Sequence, residues 1–359
     1  MFVSISEPMP SHPYMYSYID KSGEVIIDAS KYQAAGDFSD GLAAVASVDG
    51  RWGFIDKSGK EVIRPQFEQA LGFSEGLAGV SIGGLWGFID KTGRVVIEPQ
   101  FGVVNAFSEG IAVVMKVAQL KSRPTGTNQH VTEAELGADA LVSLRRRRGR
   151  TSEAQQSAEV LLIDRTGQAV LALRLDEVQL NIYEGARFSE GLIDAYDCAT
   201  GKIGFIDRRG EFVIKPRYSQ AAPFSEGLAR VAVEEHSEEK IGFIDREGNF
   251  KIAPKFNTDG DFRRNSTNFS DGLASLTENL RPTVTEESRF VYLNKKGEIV
   301  LHTSFFYAGR FSEGRASVFD ESRSKWGFID RAGMVVIPLR YDSVSDFSEG
   351  LASVVILTN

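Results

Sequence analysis

The chain has 359 residues, of which 42% are hydrophobic and 25% charged, a balance suited to a soluble protein with a sizeable core. A formal charge of −8 argues against a general nucleic-acid or anionic-membrane surface, which needs a basic face. The lone cysteine, Cys198, excludes an intrachain disulfide framework and a thiolate metal cluster.

The chain opens MFVSISEPMPSHPYMY, with no basic stretch leading into an apolar one, so no secretory leader is expected. No apolar run approaches the roughly 18–20 residues needed to cross a bilayer. Cytoplasm is therefore the expected compartment, with no membrane partner.

From there the chain repeats itself. Residues 51–84 read RWGFIDKSGKEVIRPQFEQALGFSEGLAGVSIGG, and the next stretch reads LWGFIDKTGRVVIEPQFGVVNAFSEGIAVV. The phrase F-S-E/D-G begins eight times, at Phe38, Phe73, Phe107, Phe188, Phe224, Phe269, Phe311 and Phe347. A second phrase, I-D-K/R-x-G, also has eight copies, with its polar position at Asp20, Asp56, Asp90, Asp164, Asp207, Asp245, Asn294 and Asp330. The tightest spacing is 34–36 residues, so the larger gaps hold insertions.

Each unit predicts three short strands. Strand A is L-A-x-V (77–81), strand B is W-G-F-I-D (86–90) and strand C is V-V-I-E-P-x-F (95–101). Between B and C, Asp first and Gly fourth match a type I turn followed by a left-handed Gly. Strand C carries Pro65, Pro99, Pro216 and Pro254 at one place, which makes that end an edge or an exit from the sheet. Pro338 sits one residue earlier, so a different exit is expected there. In F-S-E/D-G, the Phe plugs the core beneath the loop, the Ser and the acid bond nearby backbone N–H groups, and the Gly supplies a positive φ.

These phrases together resemble the WG-repeat family of bacterial proteins, over nearly the whole chain apart from the N-terminal tail and one long insertion. The resemblance implies a β-rich repeat domain and no common chemistry. The family Trp stands only at Trp52, Trp86 and Trp326; elsewhere the place holds Tyr16, Val160, Ile203, Ile241 and Phe290. All are apolar, so a buried side chain is expected there. The following Gly is replaced at Ser17, Leu161 and Val291, and the fourth unit is the most degenerate.

The organisation is a tail (1–13), repeats one to three (14–118), a basic, partly helical or disordered insertion (119–158), and repeats four to eight (159–359). The chain opens on strand B of its first unit and closes on strand A of its last. A ring would let that last strand complete the first hairpin and protect both edges. Propeller blades usually have four strands, and these units have three. An all-β, open superhelical array of eight three-stranded antiparallel repeats is thus expected ahead of a closed propeller-like ring.

Four insertions, 119–158, 234–240, 277–288 and 320–324, fall in the A–B connection and should project from one rim; a fifth long loop, 257–268, follows strand C. Such a rim marks either a binding face or merely exposed turns that tolerate length. In the longest insertion, residues 132–148 read as a helix with a Thr132–Glu135 capping box, ending in the basic cluster Arg145, Arg146, Arg147, Arg148 and Arg150. This insertion is +3 and the remainder −11. It is either a contact for an acidic partner or nucleic acid, a solvated loop folded back on the acidic body, or a protease-sensitive segment; the solvated loop is the more economical reading.

Catalysis finds no support. The histidines His12, His130, His236 and His302 form no metal-ligand spacing, and no nucleophile elbow or phosphate loop occurs. Cys198 stands without a motif. The recurrent acids, Asp56 or Glu75 and their equivalents, are spread one repeat apart, too thinly for a calcium site, and turn chemistry accounts for them. The expected function is a non-catalytic scaffold, without cofactor or metal, that binds a protein or peptide through the insertion-bearing rim. The alternative is a sensory module that binds a small molecule or glycan with aromatic residues in a groove or central channel.

Overall fold

The computed structural model describes residues 14–116, 159–174, 176–182, 185–235, 238–257, 267–278 and 289–357. The described chain forms eight antiparallel sheets, one per repeat. The second is representative: Gln69–Ala70, Leu77–Ile82, Leu85–Asp90 and Val95–Phe101 are hydrogen-bonded in that order. The last three are the expected strands A, B and C. The first is a fourth strand of only two residues, hidden in the linker before F-S-E-G. The sixth sheet has three strands among the described residues, and there Thr267 N–H donates to the Ser275 carbonyl as Leu71 does to Gly79 in the second.

The array is closed. Strand A at the C-terminus, Ala352–Leu357, pairs antiparallel with Tyr14–Ile19, in unbroken register from Tyr14↔Leu357 to Ile19↔Ala352. The eighth blade is thus built from both ends of the chain. The molecule is an eight-bladed β-propeller, and the expected open array of three-stranded units is overturned. The physical reason lies in the phase of the repeat: starting on B and ending on A leaves two complementary edges, and pairing them removes both.

The core lies between blades. Eight apolar clusters fill the eight junctions, and the one between the first two blades joins Phe54, Ile63 and Phe67 to Phe73, Ala78 and Val80. At its centre the Phe of each F-S-E/D-G meets the aromatic ring of strand B in the preceding blade. The pairs Tyr18–Phe38, Phe54–Phe73, Phe88–Phe107, Phe205–Phe224, Phe243–Phe269, Tyr292–Phe311 and Phe328–Phe347 have centroids 4.7–4.9 Å apart and planes tilted 59–62°. Each adds about 0.5–1.5 kcal/mol beyond the area it buries. At the remaining junction Leu162 takes the aromatic place beside Phe188.

The turn after that Phe is a second lock. The Ser and the following Leu or Ile exchange backbone hydrogen bonds, as Ser74 and Leu77 do, closing a two-residue hairpin. Both central residues take positive φ: Glu75 +54° and Gly76 +81°. Glu is a poor choice for that backbone. Its use is explained by its carboxylate, which accepts the N–H of the equivalent Gly in the next blade. This bond occurs at all eight junctions, from Gly41 to Glu349 (3.1 Å), Gly76 to Asp40 (2.6 Å) and onward to Gly350 with Glu313 (3.1 Å). The Ser side chain donates instead of accepting: Ser74 Oγ reaches the Phe107 carbonyl at 2.7 Å.

The W-G pair has a partner in strand C. Gly87 lies under a bulge, and a Cβ there would stand 2.5 Å from the Ile97 carbonyl oxygen and 2.7 Å from Pro99 N. Across the bulge Phe88 faces Ile97 while Trp86 faces Phe101. Gly53, Gly204 and Gly242 repeat the arrangement with Pro65, Pro216 and Pro254. Where the Gly is replaced, the proline is absent too, and the ladder passes that place without the bulge, its one shift lying nearer the B–C turn: Ser17↔Asp28, Leu161↔Ala172 and Val291↔His302. The last proline needs a correction: Pro338 is shifted, yet Phe328↔Ile337 and Trp326↔Tyr341 preserve the same bulge, so the exit does not differ. The Trp place is also less buried than expected, since Trp52, Trp86 and Trp326 are half-buried while Val160, Ile241 and Phe290 are buried.

Two stability outcomes follow. Gly87→Ala drives a methyl into backbone and should destabilise by about 1–3 kcal/mol, whereas Ser17→Ala, over a regular ladder, should change stability by less than about 0.5 kcal/mol; urea unfolding midpoints compare them. Glu109→Ala and Glu109→Gly both lose the bond to Gly191, but Ala retains the left-handed strain. The Gly variant should therefore be the more stable by roughly 1 kcal/mol in the same assay.

Candidate functional site

Strand A starts at the F-S-E/D-G turn and strand B ends at the I-D-K/R-x-G turn, so both turns share one face of the propeller. In the second blade Leu77 lies opposite Asp90 at this turn face, and Ile82 lies opposite Leu85 at the other, the loop face. On the turn face the base after the turn Asp or Asn reaches the acid of the preceding blade at four junctions: Lys21–Glu313 at 2.8 Å, Lys57–Glu349 at 3.1 Å, Arg208–Glu109 at 3.2 Å and Lys295–Glu226 at 3.1 Å. Arg165 reaches the Glu75 carbonyl at 2.6 Å. The turn Asp is occupied by its own loop, as Asp56 Oδ1 accepts Ser58 N–H at 2.9 Å and Lys60 N–H at 3.1 Å. The recurrent carboxylates thus close turns and join blades. Among the described residues no three His, Cys, Asp or Glu side chains converge as metal ligands.

The loop face gathers what the repeat does not fix. Lys116↔Glu159 closes the described ends of the longest A–B connection, and Glu278↔Arg289 and Asp320↔Lys325 close two more. The fifth loop belongs with them, because Asn257, where strand C ends, lies opposite Lys240 at the start of strand B. One expected insertion, 234–240, is mostly strand, since A and B run to Glu235↔Glu238. Exposed apolar side chains cluster here. Phe306 (54% exposed) meets Phe319 at 6.3 Å, Phe319 meets Trp326 at 5.1 Å, and Trp326 meets Tyr307 at 5.3 Å. On the adjoining eighth blade Tyr14, Met15, Ile356 and Leu357 are also exposed. The expected helix, 132–148, and the basic cluster Arg145, Arg146, Arg147, Arg148 and Arg150 lie outside the described residues.

The bore is the third region. Eight turns joined in a closed hydrogen-bonded ring must circle the axis, so the short strand leading into each turn is the innermost one. The residue just before F-S-E/D-G is charged or polar at Asp37, Arg187, Asn268, Arg310 and Asp346, and small at Gly72, Ala106 and Pro223. Neighbours touch around the ring: Asn268 Nδ2 donates to the Pro223 carbonyl at 3.0 Å, and Arg310 Nε to Asp346 Oδ2 at 2.8 Å. Behind them, the variable residue of L-A-x-V points at the next blade, as Ser317 Oγ does to Asp346 Oδ1 at 3.5 Å. That position is polar in five consecutive blades, at Asp194, Arg230, Ser275, Ser317 and Ser353, and apolar or Gly in the other three, at Ala44, Gly79 and Val113. The layer behind the bore therefore has a polar arc and an apolar arc, while the bore position itself is charged or polar in the first, fourth, sixth, seventh and eighth blades.

The arc perturbs its ionisable groups. Burial pushes the Asp194 carboxyl up to about 6. Burial draws Arg230, 4% exposed, down to about 9. Arg187 is lowered first by burial and then by the like charge of Arg310, three blades further round. Its side chain nevertheless meets solvent. Both hold for a group on a bore wall, with water on one side and protein on the others. Asp346 is raised, mainly by burial, against the pull of Arg310.

Sequence reasoning missed the arc. Its signal was the unassigned x of L-A-x-V, an inward place in an otherwise apolar strand that carries Asp194 and Arg230 in successive units. Of the residues weighed from sequence, Cys198 is half-buried with its thiol raised, first by burial and then by Asp197 and Asp176, which disfavours the reactive thiolate. His302 lies exposed at the end of strand C in the sixth blade. No described helix is long and apolar enough to cross a membrane.

Solved structures similar to this chain include BamB from Moraxella catarrhalis (10% identity, TM-score 0.42, covering 97% of this chain and 92% of that one). AztD from Citrobacter koseri in its apo form is 11% identical, with a TM-score of 0.45 and coverage of 96% and 98%. The WD40 β-propeller domain of Doa1 is 9% identical, with a TM-score of 0.34 and coverage of 96% and 97%. No curated protein matches the sequence. The WG containing repeat is found at residues 16–51, 52–86, 86–116, 203–235, 241–279, 292–321 and 326–356. The stretch it passes over holds Val160 and Leu161 in place of Trp-Gly, where the structure nonetheless completes a blade. With its sequence matched on both sides of that stretch and its blades closed into one ring, the chain belongs to the WG containing repeat family.

Proposed function

We propose that the protein is a non-catalytic scaffold that holds a protein or peptide partner on its loop face. One observation carries this reading: every described end of an insertion opens on that face, beside the exposed Phe306 and the half-buried Phe319 and Trp326 that it adjoins. Aromatic side chains at the centre of a contact supply most of its binding energy. The opposite face offers less, because its charges are spent on neighbouring blades. The rigid ring holds the loops at fixed separations, which lowers the entropy lost when a partner is engaged. The basic cluster Arg145, Arg146, Arg147, Arg148 and Arg150 belongs to the longest insertion and suits an acidic segment of such a partner. A cytoplasmic partner is proposed, and no reaction is assigned.

Affinity capture from the source cells tests this with three forms: the full chain, a deletion of 119–158, and Phe306→Ser. Circular dichroism checks that each remains folded. A partner held by the full chain should be recovered at least tenfold less with either altered form. Equal recovery with all three would remove the loop face from the interaction.

A further inference from the structure

Exposed apolar side chains crowd one junction of the loop face. On the eighth blade Tyr14, Met15, Ile356 and Leu357 are exposed, on two strands paired Tyr14↔Leu357 and Met15↔Ile356. Asp342 ties these strands to the seventh blade: Leu357 N–H donates to its Oδ2 at 2.8 Å and Lys325 Nζ to its Oδ1 at 2.6 Å. Lys325 precedes Trp326, whose ring stands in the aromatic row that ends at the exposed Phe306. The apolar groups of the two blades are thus one junction apart. The charges bordering them are paired, Lys325 with Asp342 and Arg323 with Asp320 at 3.5 Å. An apolar patch with a neutral border suits an apolar cover that brings no charge of its own against it.

The chain carries such a segment at this place. Residues 1–13 lie outside the described residues and join the ring at Tyr14, inside the patch. They read MFVSISEPMPSHP, in which Met1, Phe2, Val3, Ile5 and Met9 are apolar and no Lys or Arg occurs. A segment that served only as a solvated tail would be polar and charged. Pro8, Pro10 and Pro13 favour an extended backbone, which loses little entropy when laid against aromatic rings. Thirteen extended residues reach up to about 45 Å, so length does not limit a contact across one junction. Tethering beside the patch supplies an effective concentration on the order of millimolar.

We propose that residues 1–13 cover the apolar patch of the seventh and eighth blades, with Phe2 and Ile5 as the anchors. The segment is an occupant of the loop face that a partner displaces. The contact stands on the observations above, whereas the displacement rests on the scaffold reading of that face.

Photo-crosslinking on the full chain tests the contact, with Phe2 replaced by benzoylphenylalanine. Crosslinks within one chain to 305–326 or 356–357 are expected, and Phe306→Ser should reduce those to 305–326 at least fivefold, with circular dichroism checking the fold. Crosslinks between two chains would give the patch to a second copy and overturn the assignment, as would crosslinks confined to other regions or none at all. Dye binding is a second readout that needs no partner. In the full chain Phe2→Ser with Ile5→Ser should raise the fluorescence of anilinonaphthalenesulfonate at least twofold, and adding Phe306→Ser should cancel most of that rise. Unchanged fluorescence would also overturn the contact. In affinity capture the Phe2→Ser, Ile5→Ser chain should recover at least threefold more partner. Unchanged recovery beside a positive crosslink would overturn the displacement and leave the contact standing.

Discussion

The ring depends on one contact made at seven of its eight junctions: the Phe of F-S-E/D-G tilted against the strand-B aromatic of the preceding blade. A blade of four short strands buries little on its own, since strand C is exposed on alternate residues. Its stability comes from having a neighbour on each side, the general condition of repeat proteins. The aromatic pair fixes the spacing of neighbours to within a few tenths of an ångström. The turn that follows then locks their rotation, through a carboxylate held at positive φ and a Gly N–H from the next blade. The acid tolerates its strained backbone because the bond it gains is charge-assisted, and such bonds are about twice as strong as neutral ones. Eight equal rotations bring the last blade back to the first, and Tyr14–Ile19 finds Ala352–Leu357.

Much of this was legible in the sequence, but the closure was not. Strands A, B and C, the turn Gly and the unit count all follow from residue type and spacing. The fourth strand escaped because in most blades it is two residues long, as in Gln69–Ala70 or Val103–Val104, too short to show alternation; the six-residue copies Ala34–Ser39 and Tyr307–Ser312 run into F-S-E/D-G itself. Counting three strands then favoured an open array. The co-occurrence of Trp-Gly with the strand-C proline was also visible, yet its meaning needed the bulge: the Gly is free of a side chain because the strand-C backbone occupies that space. Its replacement by Ser17, Leu161 and Val291 is therefore a change of register, and not decay of the repeat.

The bore was illegible for a different reason. Periodic sequences advertise what is shared, and function on such a scaffold lies where units differ. The x of L-A-x-V reads as noise one unit at a time. Aligned by blade, it becomes an arc from Asp194 to Ser353 with an apolar remainder. The basic cluster 145–150 drew attention because it is dense in sequence, while the bore residues are dispersed over some 300 positions and meet only when the ring closes.

Closure therefore does more than protect two strand edges. In an open array Arg187 and Arg310 would lie three units apart on one rim, each free to be hydrated. The ring brings both onto its wall, and Arg187 is lowered, first by burial and then by the like charge of Arg310. The same geometry raises Asp194 and sets Asp346 against Arg310. Electrostatic interactions strengthen as water is excluded, so the bore magnifies substitutions that would count for little on the outer strand. The constraint that makes the fold, equal rotation about an axis, is also what assembles dispersed single-residue differences into one site.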